Sequence, residues 1–385
     1  MSDESAGRPV ALTCYSEVES RRFGYRIHRA TLADVDDKAL LAELLRENVD
    51  IAMLRFPSAK QPDVARLSRT GMPYVVADTL VCYAVDLAGY EPRPLRNRDL
   101  EFVRCRPEHV EELGVLVDEV FEGYANHYCA NPYLARRDIR AAFVDWARRY
   151  VAAEDEGRTC WLARRGGQAV AFATCSFNEP ECEGVLYGVR ASAAGGGIYG
   201  DLIRHTQRDF KSRGFTRMQV STQTQNLAVQ VVWNREGFRL SDSCVTVHVN
   251  SMLEHSAAGK HLQEIVISPD DIERCGKYSG DMNPLHFDDA FARGAGFEGR
   301  IAHGLILGST ISRFYGTEFP GPGTVFVSYS YKFLRPVYPG KRYRLDFSFP
   351  MVDAARGFYK SLARLTDEAG RTCLLSYNDL HRRPG

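Results

Sequence analysis

Residues 278–304 read YSGDMNPLHFDDAFARGAGFEGRIAHG, and this stretch decides how the C-terminal part of the chain is read. Asp281 and His286 stand five positions apart, with Asn283 and Pro284 between them. Proline removes a backbone donor and disfavours helix in the residue before it. Positions five apart would not share a helix face in any case. The spacing therefore predicts a loop, which turns both side chains toward one point. A carboxylate and an imidazole aimed at one point can hold a water and move its proton. Asp281 alone could instead close the loop through an Asx hydrogen bond. Asp288 and Asp289 read as solvent-facing charges at a helix start, and His303 as a structural residue that caps one. From Ile301 through Ala302, His303 and Gly304 the chain turns apolar, and a helix starting there exposes free N–H groups.

Outward from this stretch, Ile301 to Tyr315 is unusually apolar for a helix. Ile301, Leu305, Ile306, Leu307 and Ile311 imply burial on most sides. Strands are expected at 265–267, 324–333, 342–349, 358–366 and 372–379, with Pro336 and Pro339-Gly340 separating the second from the third. A helix starts at Pro269. A mostly buried helix wrapped by an antiparallel sheet is the hot-dog arrangement. The segments YSGDMNPLHFD, FEGRIAHG and FLRPVYPG, in that order, resemble the MaoC-like (R)-specific enoyl-CoA hydratases over about residues 263–383. That resemblance implies Asp281 and His286 as the catalytic pair and Asn283 as the residue that fixes the loop or the water. It also implies that the Gly304 N–H polarises a thioester carbonyl.

Upstream, residues 1–12 read as a disordered tail. A strand at 23–27, a helix at 37–48 and a strand at 51–55 follow. Next come a helix at 64–70 closed by Gly71 and a strand at 74–85. Residues 50–83 can be laid over 216–248: each has a strand, a polar loop, a helix ending at Gly71 or Gly237, and a strand carrying Asp78 or Asp242. This is a weak internal repeat, or two unrelated β-α-β units of similar length. A charged, proline-containing linker spans 86–99. Helices are expected at 108–121 and 137–152, with Tyr124, His127 and Tyr128 in the loop between them. A hairpin at 159–164 and 169–176, then a strand at 185–189, lead to Ala194-Gly195-Gly196-Gly197-Ile198-Tyr199. The helix 201–213 and the strand 218–222 follow. A strand, a glycine turn and a helix form an anion-binding arrangement, because the backbone comes close and the helix dipole favours phosphate oxygens.

The run GFTRMQVSTQTQNLAVQVVWNREGF (214–238) resembles the GNAT N-acyltransferases, and the likeness spans 98–250. Residues 20–85 look like the extra partial lobe of TDP-aminosugar acetyltransferases. The resemblance implies that Val189, Gly195, Gly196, Gly197, Tyr199 and Asn226 contact coenzyme A. It places Tyr124, His127 and Tyr128 by the acceptor, either lining its pocket or packed as an aromatic cluster against the sheet. Two positions depart from the family pattern. Ala194 stands where a basic residue usually precedes the first glycine. Trp233 stands where a tyrosine often protonates the leaving thiolate, and an indole cannot do so. Tyr199, Tyr128 or a water is left to supply that proton.

The chain has 385 residues, which calls for two or three domains. Hydrophobic residues make up 44% and charged residues 25%, and acids balance bases, so no basic nucleic-acid footprint is present. The sequence holds no apolar run of about 18 residues, and MSDESAGRPV lacks the form of a signal peptide. The ten cysteines are scattered with no C-x-x-C pair, so neither a metal site nor a disulfide framework is expected, and a cytoplasmic location is. The expected fold class is multidomain α+β: a partial GNAT-like lobe (1–97), a GNAT α/β domain (98–250), a linker (251–262) and a hot-dog domain (263–385). The expected function is bifunctional: hydration of 2-enoyl-CoA, and N-acyl transfer from acyl-CoA to an amine such as a nucleotide-linked aminosugar. The alternative is a hydratase for chains carried on an acyl carrier protein, beside a separately acting or non-catalytic acyl-CoA-binding lobe. CoA thioesters are the expected substrates, with no metal, no nucleic acid and no membrane, and a homodimer is expected.

Overall fold

The computed structural model describes residues 11–134, 136–152, 157–257 and 261–382. The N-terminal part contains β1 (Cys14–Tyr15), α1 (Glu17–Phe23), β2 (Ile27–Thr31), α2 (Asp37–Glu47), β3 (Ile51–Pro57) and β4 (Tyr74–Asp86). The middle part contains β5 (Glu101–Arg104), α3 (Val110–Val120), α4 (Arg136–Ala152), β6 (Arg158–Arg165), β7 (Gln168–Asn178) and β8 (Glu181–Val189), then α5 (Ile198–Ser212), β9 (Arg217–Gln223), α6 (Leu227–Arg235) and β10 (Arg239–Asn250). The C-terminal part contains α7 (Leu253–Ala257), β11 (His261–Val266), α8 (Pro269–Ser279), α9 (Pro284–Phe287), α10 (Asp289–Gly294) and α11 (Gly304–Thr317), followed by β12 (Thr324–Phe333), β13 (Arg342–Asp353), β14 (Phe358–Asp367) and β15 (Thr372–Arg382).

The first two parts share one ten-stranded sheet, ordered β1-β2-β3-β10-β4-β9-β8-β7-β6-β5, which runs continuously across residue 97. Strands from the two halves interleave at its centre. β10 lies between β3 and β4, and β4 lies between β10 and β9. The registers mirror each other: Asp78 faces Thr246 and Asp242 faces Cys82, while Cys244 faces Pro57 and Leu80 faces Gln223. A pseudo-twofold axis through the β4–β10 pair relates residues 50–83 to 216–248, the relation a duplicated unit would leave.

β8 and β9 pair in parallel only from Glu181/Arg217 to Gly184/Val220. Beyond that point β8 stays with β7 and β9 stays with β4, so the strands splay. The glycine turn and α5 follow the splayed end of β8, which puts an open cleft beside a helix start.

The second sheet, ordered β11-β13-β14-β15-β12, wraps α11. Successive strand residues point to opposite faces, and here both faces are buried. Ala363 and Leu374 pack with Ile311, Phe314 and Tyr315 of α11. Their neighbours Leu362 and Leu375 enter the N-terminal core with Val49, Met252 and Leu253. The Tyr377 hydroxyl donates to Ser251 O at 2.9 Å, and the Arg364 guanidinium to Asn48 Oδ1 at 2.9 Å, across the same seam.

Several local readings change. Of the strand expected at 23–27, Phe23 is the last residue of α1 and Gly24, in the left-handed region (φ 73°), ends that helix, so the strand begins only at Ile27. Residues 58–70 form a 3-10 helix that accommodates Pro62. The linker forms α7, with Leu253 fully buried. Most of the expected N-terminal tail lies outside the described residues, but the Leu12 N–H is held by Glu43 at 2.7 Å. Among the described residues, no helix is long and apolar enough to cross a membrane.

Candidate active sites

In the C-terminal domain, α8 ends at Gly280 in the left-handed region (φ 75°), which turns the chain sharply into Asp281. Residues 284–287, expected as loop, are one helical turn. Pro284 has a pre-set φ at the first helical position, and Asn283 Oδ1 accepts the Leu285 N–H at 3.1 Å. Asn283 therefore fixes the turn, a cap worth about 1 kcal/mol. That turn carries His286 inward, where it is nearly buried, while the Asp281 carboxylate stays about half exposed.

Two carbonyls decide the imidazole chemistry. His286 Nδ1 lies 2.8 Å from Ile301 O, and a carbonyl only accepts, so Nδ1 carries the proton. Nε2 is then a free lone pair, 3.9 Å from Asp281 Oδ2. Two acceptors at that distance cannot bond each other, but one water can donate to both. His303 stacks on His286 at 3.8 Å and donates from Nε2 to Asp281 O at 3.0 Å. It clamps the Asp281 backbone and makes no side-chain cap to α11, contrary to the capping expectation. Asp281, His286 and His303 also bring ligand-capable atoms within 4.8 Å of one another. Gly304 opens α11, where its N–H has no acceptor within the helix. A Cβ at Gly304 would stand 2.7 Å from Cζ of Phe333, so the residue leaves room for that ring. Leu305, expected to be buried, is 52% exposed, and Phe333, Tyr278 and Met282 are also more than half exposed.

The second site occupies the splay between β8 and β9. A cavity of about 600 Å3 is bounded by these strands, by α4 and by α1 of the N-terminal lobe. Gly195 and Gly197 have φ of 80° and 85°, and Gly197 is the N-cap of α5. A side chain would be strained at both, and Gly196, between them, accepts from Asn97 Nδ2 at 3.1 Å. Val189 ends β8 and packs with Ile198 and Leu202 beside the turn. Tyr199 and Asn226 line the cavity, and Asn226 Nδ2 donates to Thr222 Oγ1 at 3.0 Å. Burial raises the Tyr199 phenol, with the Trp233 indole N–H opposing.

Tyr124, His127 and Tyr128 line the same cavity, where Tyr124 donates to Gln223 Oε1 at 2.6 Å and Tyr128 donates to Glu19. Tyr124 also packs against Phe121 and Phe143, and His127 against Tyr128 and His248.

Two groups on this site were missed from the sequence. The Arg96 side chain approaches the position a Gly197 Cβ would take, with Cδ at 3.0 Å. Its backbone is held there by Asp201, which accepts the Arg96 and Asn97 N–H groups at 2.8 and 2.9 Å. The linker thus brings a cation to the turn that Ala194 leaves without one. Glu183 of β8 lines the cavity too. It is accessible because it faces the cavity, yet protein surrounds it; partial desolvation raises its carboxyl, against the pull of Arg55. Neither residue carries a local motif that marks it.

Residues 254–364 match the MaoC like domain, and residues 117–238 match the acetyltransferase (GNAT) family, so the chain joins one domain of each kind. A mitochondrial 3-hydroxyacyl-[acyl-carrier-protein] dehydratase of Arabidopsis thaliana is 47% identical over 20% of this chain and 44% of its own length. An (R)-specific enoyl-CoA hydratase of Aeromonas caviae is 44% identical over 16% of this chain and 46% of its own. The chain thus spans less than half the length of these curated relatives. A GCN5-related N-acetyltransferase structure from Sphaerobacter thermophilus aligns with 51% of this chain and 59% of its own, at TM-score 0.40 and 15% identity.

Proposed function

We propose that the chain is a bifunctional acyl-CoA enzyme. Its C-terminal domain adds water reversibly to a 2-enoyl-CoA, giving an (R)-3-hydroxyacyl-CoA. Its N-terminal part moves an acyl group from CoA to an amine. The observation that carries the first activity is the pair of acceptors His286 Nε2 and Asp281 Oδ2, 3.9 Å apart beside the start of α11. A water held by both loses a proton to one of them as its oxygen attacks C3. The proton is then delivered to C2, so H and OH add across the double bond. The enolate oxygen that develops is met by the Gly304 N–H, a donor that does not have to reorganise.

For acyl transfer, Glu183 takes a proton from the acceptor ammonium. The amine nitrogen attacks the thioester carbonyl, the C–S bond breaks, the Tyr199 hydroxyl protonates the departing thiolate, and the second proton of the attacking nitrogen passes through water to the phenolate left behind. The glycine turn at α5 and Arg96 hold the CoA phosphates. Arg22, Arg29 and Arg55 of the N-terminal lobe line the cavity, which supports a phosphate-bearing amine such as a nucleotide-linked aminosugar. Both activities share a thioester currency, so the hydrated acyl group is the donor for transfer. A second copy completes the hydratase surface: β12 is an edge strand on which Tyr329 and Phe333 share one face and are both more than half exposed. Ten free cysteines agree with a cytoplasmic setting.

The name of the Arabidopsis relative favours a second reading, in which the hydratase acts on carrier-bound chains. Mass spectrometry after incubation with crotonyl-CoA, its carrier-protein analogue and aminosugar nucleotides tests both. The proposal expects N-3-hydroxybutyryl product from crotonyl-CoA. A strong preference for acetyl-CoA would defeat the coupling, and turnover confined to the carrier thioester would favour the second reading.

A further inference from the structure

The cavity wall contains a chain of buried polar side chains that the mechanism above does not use. Its polarity can be read from one backbone group. The Tyr133 N–H lies 3.1 Å from Asn131 Oδ1, and a backbone N–H only donates, so the orientation of the Asn131 amide is fixed. Its Nδ2 then supplies both of its protons inward, one to Asn250 Oδ1 at 2.8 Å and one to His248 Nδ1 at 3.2 Å. An imidazole nitrogen that accepts carries no proton, so the proton of neutral His248 is on Nε2. That Nε2 lies 2.9 Å from His127 Nδ1, which must accept in turn. The proton of His127 is left on Nε2. This atom has no partner among the described residues, and His127 lines the cavity.

Both rings are buried, His248 completely, and among the described residues no carboxylate is hydrogen-bonded to either. Burial and the neighbouring Arg29 and Arg55 hold them neutral: His127 is pushed well down, and His248 to about 3.

We propose that Asn131 and His248 lock His127 as a neutral hydrogen-bond donor into the cavity, and that the acceptor substrate is held there through an uncharged oxygen, a hydroxyl or carbonyl. This rests on the acyl-transfer reading and deepens it. His127 is a specificity-determining donor and has no lone pair with which to serve as the base, a role left to Glu183. The anionic groups of the substrate go to the arginines, while the His127 N–H reads a neutral atom of the amine-bearing moiety itself.

The test is long-range 1H–15N spectroscopy of histidine side chains in the full-length, 15N-labelled protein. Signals are assigned through His127→Phe and His248→Phe. Both rings are expected in the Nε2-protonated form. Asn131→Asp replaces the donor to His248 with a group that only accepts. His248 must then donate from Nδ1, and both rings switch to Nδ1-protonated. With the donor lost, the KM for the amine rises about tenfold, the value of one hydrogen bond. The KM for acyl-CoA and the hydration rate stay where they were. An Nδ1-protonated or cationic His127 in the wild type overturns the proposal. So does an unchanged amine KM after the tautomers have switched. The spectra need no substrate, so Nε2-protonated rings in a protein that transfers no acyl group would sink the transferase reading alone.

Discussion

Replacing Gly304 with alanine tests the geometry at the start of α11. The added Cβ would lie 2.7, 3.2 and 3.4 Å from Cζ, Cε1 and Cε2 of Phe333. Carbon atoms rest at about 3.5–4.0 Å, so the ring must retreat by about 1 Å. Phe333 is 52% exposed, so it has room to swing toward solvent. The loss of stability is therefore small, about 1 kcal/mol or less, and alanine's better helix propensity offsets part of it. Activity is a different matter. A displacement of about 1 Å beside a positioned donor costs up to about a hundredfold. The expected result is a 10- to 100-fold fall in kcat/KM for crotonyl-CoA hydration, about 1.4–2.7 kcal/mol of transition-state stabilisation. The melting temperature should stay within a few degrees, and acyl transfer should be unchanged. Trimming the ring with Phe333→Leu in the Gly304→Ala background should recover most of the loss. Two results would refute this reasoning: Gly304→Ala hydrating at the wild-type rate, or the double variant faring no better than Gly304→Ala alone.

His205 offers a pH test of the packing under α5. It stacks on Phe102 at 4.1 Å, and burial lowers its pKa to about 4, with Asp209 opposing. A folded pKa below the unfolded value means that the unfolded chain binds the proton first, so stability is lost as pH falls below about 6.5. By pH 5 this one group costs about 2 kcal/mol. His205→Phe should abolish that share in denaturant titrations at pH 8 and pH 5, and an unchanged pH dependence would count against it. Arg96→Ala should raise the KM for acyl-CoA in the transferase assay by about tenfold or more, the value of a charge-assisted phosphate contact. Hydration should be unaffected, and an unaltered transferase KM would remove Arg96 from the site. Exhaustive chelation should leave hydration unchanged, because in the proposed reaction His286 Nε2 and Asp281 Oδ2 themselves hold the water and move its proton. A loss reversed by added divalent cation would assign the Asp281–His286–His303 cluster to a metal instead.

Much of this arrangement was legible in the residues. The apolar run from Ile301 and the spaced strands after it required a buried helix and a sheet. The glycine turn before α5 required an open helix start, and both fold types follow. What stayed hidden was set by partners far along the chain. The acceptor role of His286 Nε2 depends on the Ile301 carbonyl, fifteen residues away, and the role of His303 on the carbonyl of Asp281. Arg96 reaches the glycine turn only because Asp201 holds the linker, 105 positions upstream. The interleaving of β10 between β3 and β4 leaves no trace in local periodicity, since each strand pairs equally well with either neighbour. The turn at 284–287 differs from the loop that the spacing predicts because Pro284 is a helix breaker in an interior but a good first residue.

The hydratase claim rests on one carboxylate. Hydration of crotonyl-CoA, followed by loss of the conjugated thioester's absorbance, can be compared between the wild type and Asp281→Asn. An amide keeps the shape but cannot take the water's proton. The account predicts a rate at least about a thousandfold lower, within the range for removing a general base. Melting behaviour and acyl transfer should be intact. Hydration by Asp281→Asn at a rate near wild type would contradict it.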